Sequence, residues 1–167
     1  SSRVIIMGHR NPDMDCFGAS LGIYRIAVSS KKEAHIVINS YNEALAAIYQ
    51  AAKETEAYSF INSEKAVSLC DEDTLVVVLD THRPSLVECP ELLSSDKIVV
   101  IDHHRKAEEA ISHMILSYME PYASSTAELV TEIIQYSEEK KTLSKMDAEA
   151  LLAGITVDTN RFAVKTG

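Results

Sequence analysis

Three short runs constrain this chain more than any other feature. Val4-Ile5-Ile6-Met7, Leu75-Val76-Val77-Val78-Leu79 and Ile98-Val99-Val100-Ile101 are apolar without a break. A strand with one wet face alternates apolar and polar residues, whereas a strand apolar at every position asks to be covered on both sides. Helical patterns lie between the runs. Residues 15–29 form one. Asn42 to Lys53 form another, with Ala44, Leu45, Ala47, Ile48, Ala51 and Ala52 at helical spacing. Residues 34–39 add a further apolar run, and 58–69 read as a short strand with a short helix. Residues 85–93 read as loop and broken helix around Pro84 and Pro90, and His113 to Met119 as an edge strand. Ser125-Thr126-Ala127-Glu128 is a capping box opening a helix to about Glu139, and a second helix is expected over 144–157. Strands of this kind alternating with helices predict an α/β fold: a mostly parallel, Rossmann-like sheet in three layers, with helices on both faces. At 167 residues, with no repeat or linker, the chain reads as one domain.

In such sheets ligands bind beyond the carboxyl ends of the strands. After Met7 comes Gly8-His9-Arg10-Asn11-Pro12-Asp13-Met14-Asp15; after Leu79 comes Asp80-Thr81-His82-Arg83-Pro84; after Ile101 comes Asp102-His103-His104-Arg105. Three strands thus end in acid and histidine on one edge. Oxygen ligands with imidazole suit a divalent cation such as Mn²⁺. Any one stretch alone is also compatible with turn and capping residues, Asp13 or Asp15 capping the first helix among them. Asp158 closes an otherwise apolar helical pattern, where an acid opposes the helix dipole and calls for compensation. His35 and His113 fall on expected strands and read as structural; His82 is ambiguous; Cys16 reads as a small packing residue.

A net charge of −9 argues against a duplex nucleic-acid surface, but not against an anionic substrate held through cations. The three cysteines lack CxxC spacing, which argues against a disulfide framework or a zinc knuckle. No apolar run approaches the ~18 residues of a membrane span, so no membrane contact is expected from this stretch.

The set His9-x3-Asp13-x-Asp15, Asp80, Asp102-His103-His104 and Asp158 resembles the DHH phosphoesterase superfamily, which includes RecJ-type exonucleases, nanoRNases, family II pyrophosphatases and cyclic-di-AMP phosphodiesterases. All four motifs are present in order. Finer stretches are similar to the membrane-anchored GdpP-type cyclic-di-AMP phosphodiesterases, among them Asp80-Thr-His-Arg-Pro-Ser and Tyr118-Met-Glu-Pro-Tyr-Ala-Ser-Ser-Thr-Ala-Glu-Leu129. The resemblance implies two Mn²⁺ ions, with Mg²⁺ or Co²⁺ as substitutes. His9, Asp13 and Asp80 would hold one; Asp15, Asp80, His103 and Asp158 the other, Asp80 bridging. It implies that Asp102 orients the histidine pair and that His104 faces the substrate phosphate. It also implies a cyclic-dinucleotide substrate, a location on the cytoplasmic face of a bacterial plasma membrane within an anchored parent, and possible homodimerisation there. The superfamily's C-terminal DHHA1 domain is not expected within residues 1–167, so substrate capture is expected to be shared with it.

Hydrolysis of a phosphodiester needs an activated water and neutralised phosphoryl oxygens, and two divalent ions supply both. The charges match: Asp13, Asp15, Asp80 and Asp158 bring four negative charges against four positive. Arg83, Arg105 and His104 are candidates to meet the phosphate. Arg83 and Arg105 also fit surface ion pairs, and Ser125 fits either an anion contact or a plain helix cap. The leading expectation is a Mn²⁺-dependent phosphodiesterase opening cyclic di-AMP to linear pApA by two-metal activation of a bridging water. A nanoRNase or other oligonucleotide phosphatase, a pyrophosphatase, and a non-catalytic nucleotide-binding module remain as alternatives.

Overall fold

The computed structural model describes residues 1–104, 111, 116–119, 125–126 and 129–130. Strands β1 (Arg3–Met7), β2 (Glu33–Val37), β3 (Phe60–Ile61), β4 (Thr74–Leu79), β5 (Ile98–Asp102) and β6 (Leu116–Met119) form one sheet in the order β3-β2-β1-β4-β5-β6. Every neighbouring pair is parallel. The expected edge strand is thus present as β6, and the stretch 58–69 resolves into β3 and a helix, α3 (Ser63–Leu69). The longer helices are α1 (Met14–Ser29) and α2 (Glu43–Glu54). Two 3-10 turns, Pro84–Leu86 and Pro90–Ser94, occupy the stretch read as broken helix, each with proline at its start.

The period-2 geometry of a strand divides each apolar run between the two faces. Val4, Ile6, Leu75, Val77, Leu79, Val99 and Ile101 face α1, packing on Ala19, Ile23, Ile26 and Ala27. Ile5, Met7, Val76, Val78, Ile98 and Val100 face the other way, onto Ala66 of α3 and Val87, Cys89 and Leu92 of the 3-10 segment. All thirteen strand residues are 0% exposed, which is why neither face tolerates a polar position. A third cluster seals α2 through Leu45, Tyr49 and Ala52 against Phe17, Ile38 and Phe60.

The sheet grows outward from β1 in one direction to β3 and from β4 in the other to β6. The chain direction of the crossovers reverses between β1 and β4. A crevice therefore opens at the carboxyl ends of these two strands, where flanking loops part to opposite sides. The expected helices at 125–139 and 144–157 fall mostly outside the described residues, as do Arg105, His113 and Asp158.

Candidate metal and phosphoester site

The loops that leave β1, β4 and β5 meet at this crevice. The first begins at Gly8, where a side chain would overlap the Cys16 sulfur and sit 3.3 Å from the Leu79 carbonyl; glycine lets the start of α1 close onto β1. A strap from the 3-10 segment fixes the loop from outside. Arg10 N donates to Leu86 O (2.8 Å), and Glu88 N donates to Gly8 O (2.8 Å). The Glu88 carboxyl is buried and accepts from Asn39 Nδ2 at 2.9 Å, and burial raises its pKa.

Asp13 is the N-cap of α1, its Oδ1 accepting from Cys16 N at 2.9 Å. The capping possibility raised by the sequence is therefore realised, and the same oxygen lies 3.9 Å from His9 Nε2. Capping and a second contact are compatible, because a carboxylate has about four lone-pair sites.

Asp80 leaves β4 with a φ of 63°, a left-handed conformation that costs a non-glycine residue on the order of 1 kcal/mol. Its N–H donates to Ile101 O at 2.9 Å, which pins the turn. The carboxylate is 3% exposed, and its two oxygens face different imidazoles. Oδ2 lies 3.1 Å from His9 Nε2 and Oδ1 lies 3.2 Å from His103 Nε2. His103 Nε2 is also 3.6 Å from Asp15 Oδ2. Four of the six candidate ligands read from the sequence thus gather around a fifth, the buried Asp80 carboxylate; the sixth, Asp158, lies outside the described residues.

The histidine tautomers bear on what this cluster can hold. His9 Nδ1 contacts the Arg10 carbonyl at 2.9 Å, and a carbonyl only accepts, so Nδ1 carries the hydrogen. Nε2 is then the ring atom turned to Asp80. Without a cation it must also carry a proton to meet that carboxylate; the hydrogen bond to Asp80 pushes the His9 pKa up to about 9, despite burial. A backbone carbonyl holding the far ring nitrogen is how metal-binding histidines are usually oriented. Two Nε2 atoms aimed at oxygens of Asp80, with Asp13 and Asp15 alongside, form an N/O donor set that fits divalent cations. Burial pushes the neighbouring Cys16 thiol up, and its sulfur lies with a donor atom of His9 and one of Asp80, all within 4.8 Å of one another.

Asp102, 0% exposed, differs from the expectation that it orients the His103–His104 pair. Its Oδ1 accepts from His104 Nδ1 at 2.6 Å and from His104 N at 3.2 Å, while Oδ2 accepts from His82 Nδ1 at 2.7 Å. His103 turns to Asp80 and Asp15 instead. The two rings lie together, centroids 4.1 Å apart, but each nitrogen shown in contact meets a different carboxylate: His104 Nδ1 meets Asp102 and His103 Nε2 meets Asp80 and Asp15. Burial alone would raise the Asp102 pKa, but the bonds from His82 and His104 outweigh it and hold the group below its ordinary value. His82, ambiguous in sequence, is 2% exposed.

His9, Asp13, Asp80, Thr81, His82, Arg83, Leu86, Asp102 and His104 line one open cavity of about 400 Å³. Arg83 and His104 thus border the same space as the candidate ligands. Ser125 is half-buried, and its neighbour Thr126 reaches the cluster: Thr126 Oγ1 donates to Asp80 Oδ1 at 2.8 Å and Thr126 N to Asp15 Oδ2 at 3.0 Å. Sequence reasoning missed Thr126, because the capping box assigns roles to Ser125 and Glu128 and none to the residue between them.

A family model for the DHH family, N-terminal domain, matches residues 3–155. The cyclic-di-AMP phosphodiesterase GdpP of Geobacillus thermodenitrificans is 48% identical across 100% of this chain, which spans 26% of that protein. The probable manganese-dependent inorganic pyrophosphatase of Streptococcus thermophilus is 26% identical over 95% of this chain and 48% of its own length. Among solved structures, an exopolyphosphatase-related protein from Bacteroides fragilis superposes with a TM-score of 0.59 at 22% identity, covering 96% of this chain and 47% of that one; it supports the fold. The chain therefore spans about a quarter of the length of the GdpP relative. With its motifs on one sheet edge and the model matched along most of its length, the chain belongs to the DHH family as its N-terminal domain.

Proposed function

We propose that this chain is the hydrolytic domain of a cyclic-di-AMP phosphodiesterase, opening the cyclic dinucleotide to linear pApA with divalent cations, Mn²⁺ foremost. The observation that carries the reading is the Asp80 carboxylate, buried and turned by one oxygen to His9 and by the other to His103. The 48% identity to a GdpP protein supports the substrate, and the manganese-dependent relative supports the metal.

In this reading His9, Asp13 and Asp80 would hold one cation, and Asp15, Asp80, His103 and Asp158 would hold the other. Bound divalent cations supply neutralisation of phosphoryl charge and a water acidic enough to ionise near neutral pH. The chain supplies the rest. Strain at the Asp80 backbone and the Gly8 close approach fix the donors before substrate arrives, so no reorganisation is needed at the moment of reaction. Asp102 fixes the hydrogen of His104, a residue lining the cavity, on Nδ1 and leaves Nε2 as its other ring nitrogen. The attacking water would lose its proton to solvent as its oxygen bonds phosphorus, the P–O3′ bond would break, and the proton required by the leaving ribose O3′ would come from His104 Nε2–H, which first hydrogen-bonds the phosphodiester. Arg83, which borders the cavity, and Arg105 would bind phosphoryl oxygens, and Ser125 would add a hydroxyl. On this reading the domain is part of a longer parent anchored at the cytoplasmic face of a bacterial plasma membrane, where two copies can pair; the much greater length of the GdpP relative leaves room for an anchor. No described helix is long and apolar enough to cross a membrane.

The test is turnover of a substrate panel in Mn²⁺: cyclic di-AMP, cyclic di-GMP, short oligonucleotides and pyrophosphate. Cyclic di-AMP should give pApA with the highest kcat/KM, and Asp80→Asn should abolish it. Preference for pyrophosphate or oligonucleotides would move the chain to another branch of the family. Nucleotide binding with no bound divalent cation and no turnover of any substrate would make it a binding module.

A further inference from the structure

We infer that Thr126 is a positioning residue that locks two candidate cation-binding carboxylates, Asp15 and Asp80, into one geometry through its hydroxyl and its backbone N–H. The inference rests on the cation reading above. The two carboxylates come from different elements: Asp15 from the first turn of α1, Asp80 from the end of β4. Nothing in the local backbone of either fixes their relative orientation, and the terminal torsion of an aspartate is broad and two-fold. As like charges they also repel. Thr126 answers both problems from a third segment. Its hydroxyl donates to Asp80 Oδ1 at 2.8 Å and its N–H to Asp15 Oδ2 at 3.0 Å, and these are the same two oxygens that face His103 Nε2.

A plain cap behaves differently. A capping hydroxyl accepts from an N–H within its own turn. This one donates across 46 residues of sequence, from a residue that is 0% exposed. With one lone pair of Oδ1 taken by Thr126, rotation of the Asp80 carboxylate is blocked. Oδ2 is thereby kept on the His9 side. Thr126 thus selects which oxygen serves which half of the site.

Thr126→Val removes the hydroxyl, keeps the volume and leaves the N–H to Asp15 in place. Calorimetric titration with Mn²⁺ should show affinity about 10–100-fold weaker for this variant, the usual loss when an outer-sphere partner of a ligand is removed. Thr126→Ser should restore it to within about twofold, and the thermal midpoint of the cation-free protein should not order the variants the same way. Wild-type affinity in Thr126→Val overturns the inference while leaving the cation reading intact. No Mn²⁺ binding by the wild-type protein overturns both. Should Thr126→Val not fold, Thr126→Ala takes its place; if neither folds, the residue is a structural cap and the inference falls.

Discussion

The two edges of the sheet carry similar numbers of acids and put them to opposite use. At the amino-terminal edge, Arg3 donates to Glu33 Oε2 at 2.6 Å and sits 3.4 Å from Asp71, and His35 reaches the same Glu33 oxygen at 2.7 Å. Asp71 also accepts from Thr74 Oγ1 and Asp73 N, both at 2.9 Å. These side chains are largely in water, Glu33 at 48% and Asp71 at 57% exposure, and an arginine stands among them. At the carboxyl edge, Asp80 and Asp102 are 3% and 0% exposed, and the groups that meet them are imidazoles and the Thr126 hydroxyl. Burying a carboxylate without a fixed cation is costly. A fold accepts that cost at a site where charge arrives from outside. The amino-terminal edge is finished by its own side chains; the carboxyl edge gathers buried carboxylates and imidazoles into a donor set that fits a divalent cation.

That contrast is breakable, and the largest effect should come from Asp80. Asp80→Asn keeps the shape and tolerates the left-handed backbone, since asparagine adopts it readily. It should weaken Mn²⁺ binding by at least ~100-fold and remove turnover, because one group serves both halves of the site. Two undiminished binding events by titration calorimetry would show that Asp80 does not bridge.

His104 and His103 separate the two kinds of histidine at this edge. His104→Ala should leave Mn²⁺ affinity unchanged while kcat/KM for the diester falls about 10²–10⁴-fold, the range for loss of a proton-transfer group. His103→Ala should lower Mn²⁺ affinity. The reverse pattern would exchange their roles.

His82 tests whether Asp102 depends on both of its imidazoles. His82→Phe removes one donor from a fully buried carboxylate and should cost about 1–3 kcal/mol of stability in denaturant unfolding. A smaller fall in kcat, about tenfold or more, should accompany it with Mn²⁺ affinity unchanged, because His104 loses its fixed partner. Unchanged kcat would show that the Asp102–His104 bond stands without His82.

The amino-terminal edge should respond least. Arg3→Ala should cost at most about 1 kcal/mol and leave kcat/KM as it was, since partly exposed ion pairs contribute little. The hydrogen bond from Arg3, with a smaller one from His35, lowers the Glu33 pKa from its ordinary 4.5. Its contribution is therefore full above pH 4.5 in the unfolded-state scale and lost as the pH falls through the lower folded value. Arg3→Ala should flatten that acid limb of the stability curve. An effect on turnover would mean the two edges are coupled.

The strands, their parallel direction and the edge that gathers acid and histidine were legible in the chain, because unbroken runs such as Leu75–Leu79 admit one environment and period-2 geometry does the rest. The motif at Gly8–Asp15, with Asp80 and Asp102–His104, also pointed to its chemistry through residue type and position after a strand. What the sequence by itself left open is orientation. Whether Asp102 turns to His103 or His82, whether Asp13 caps α1 while facing His9, and whether Thr126 serves its own turn or a carboxylate 46 residues away are set by long-range packing. Local pattern specifies which side chains arrive at an edge. Only the packed sheet, with its reversal between β1 and β4, decides which oxygen each of them meets, because those contacts join residues that share no local geometry.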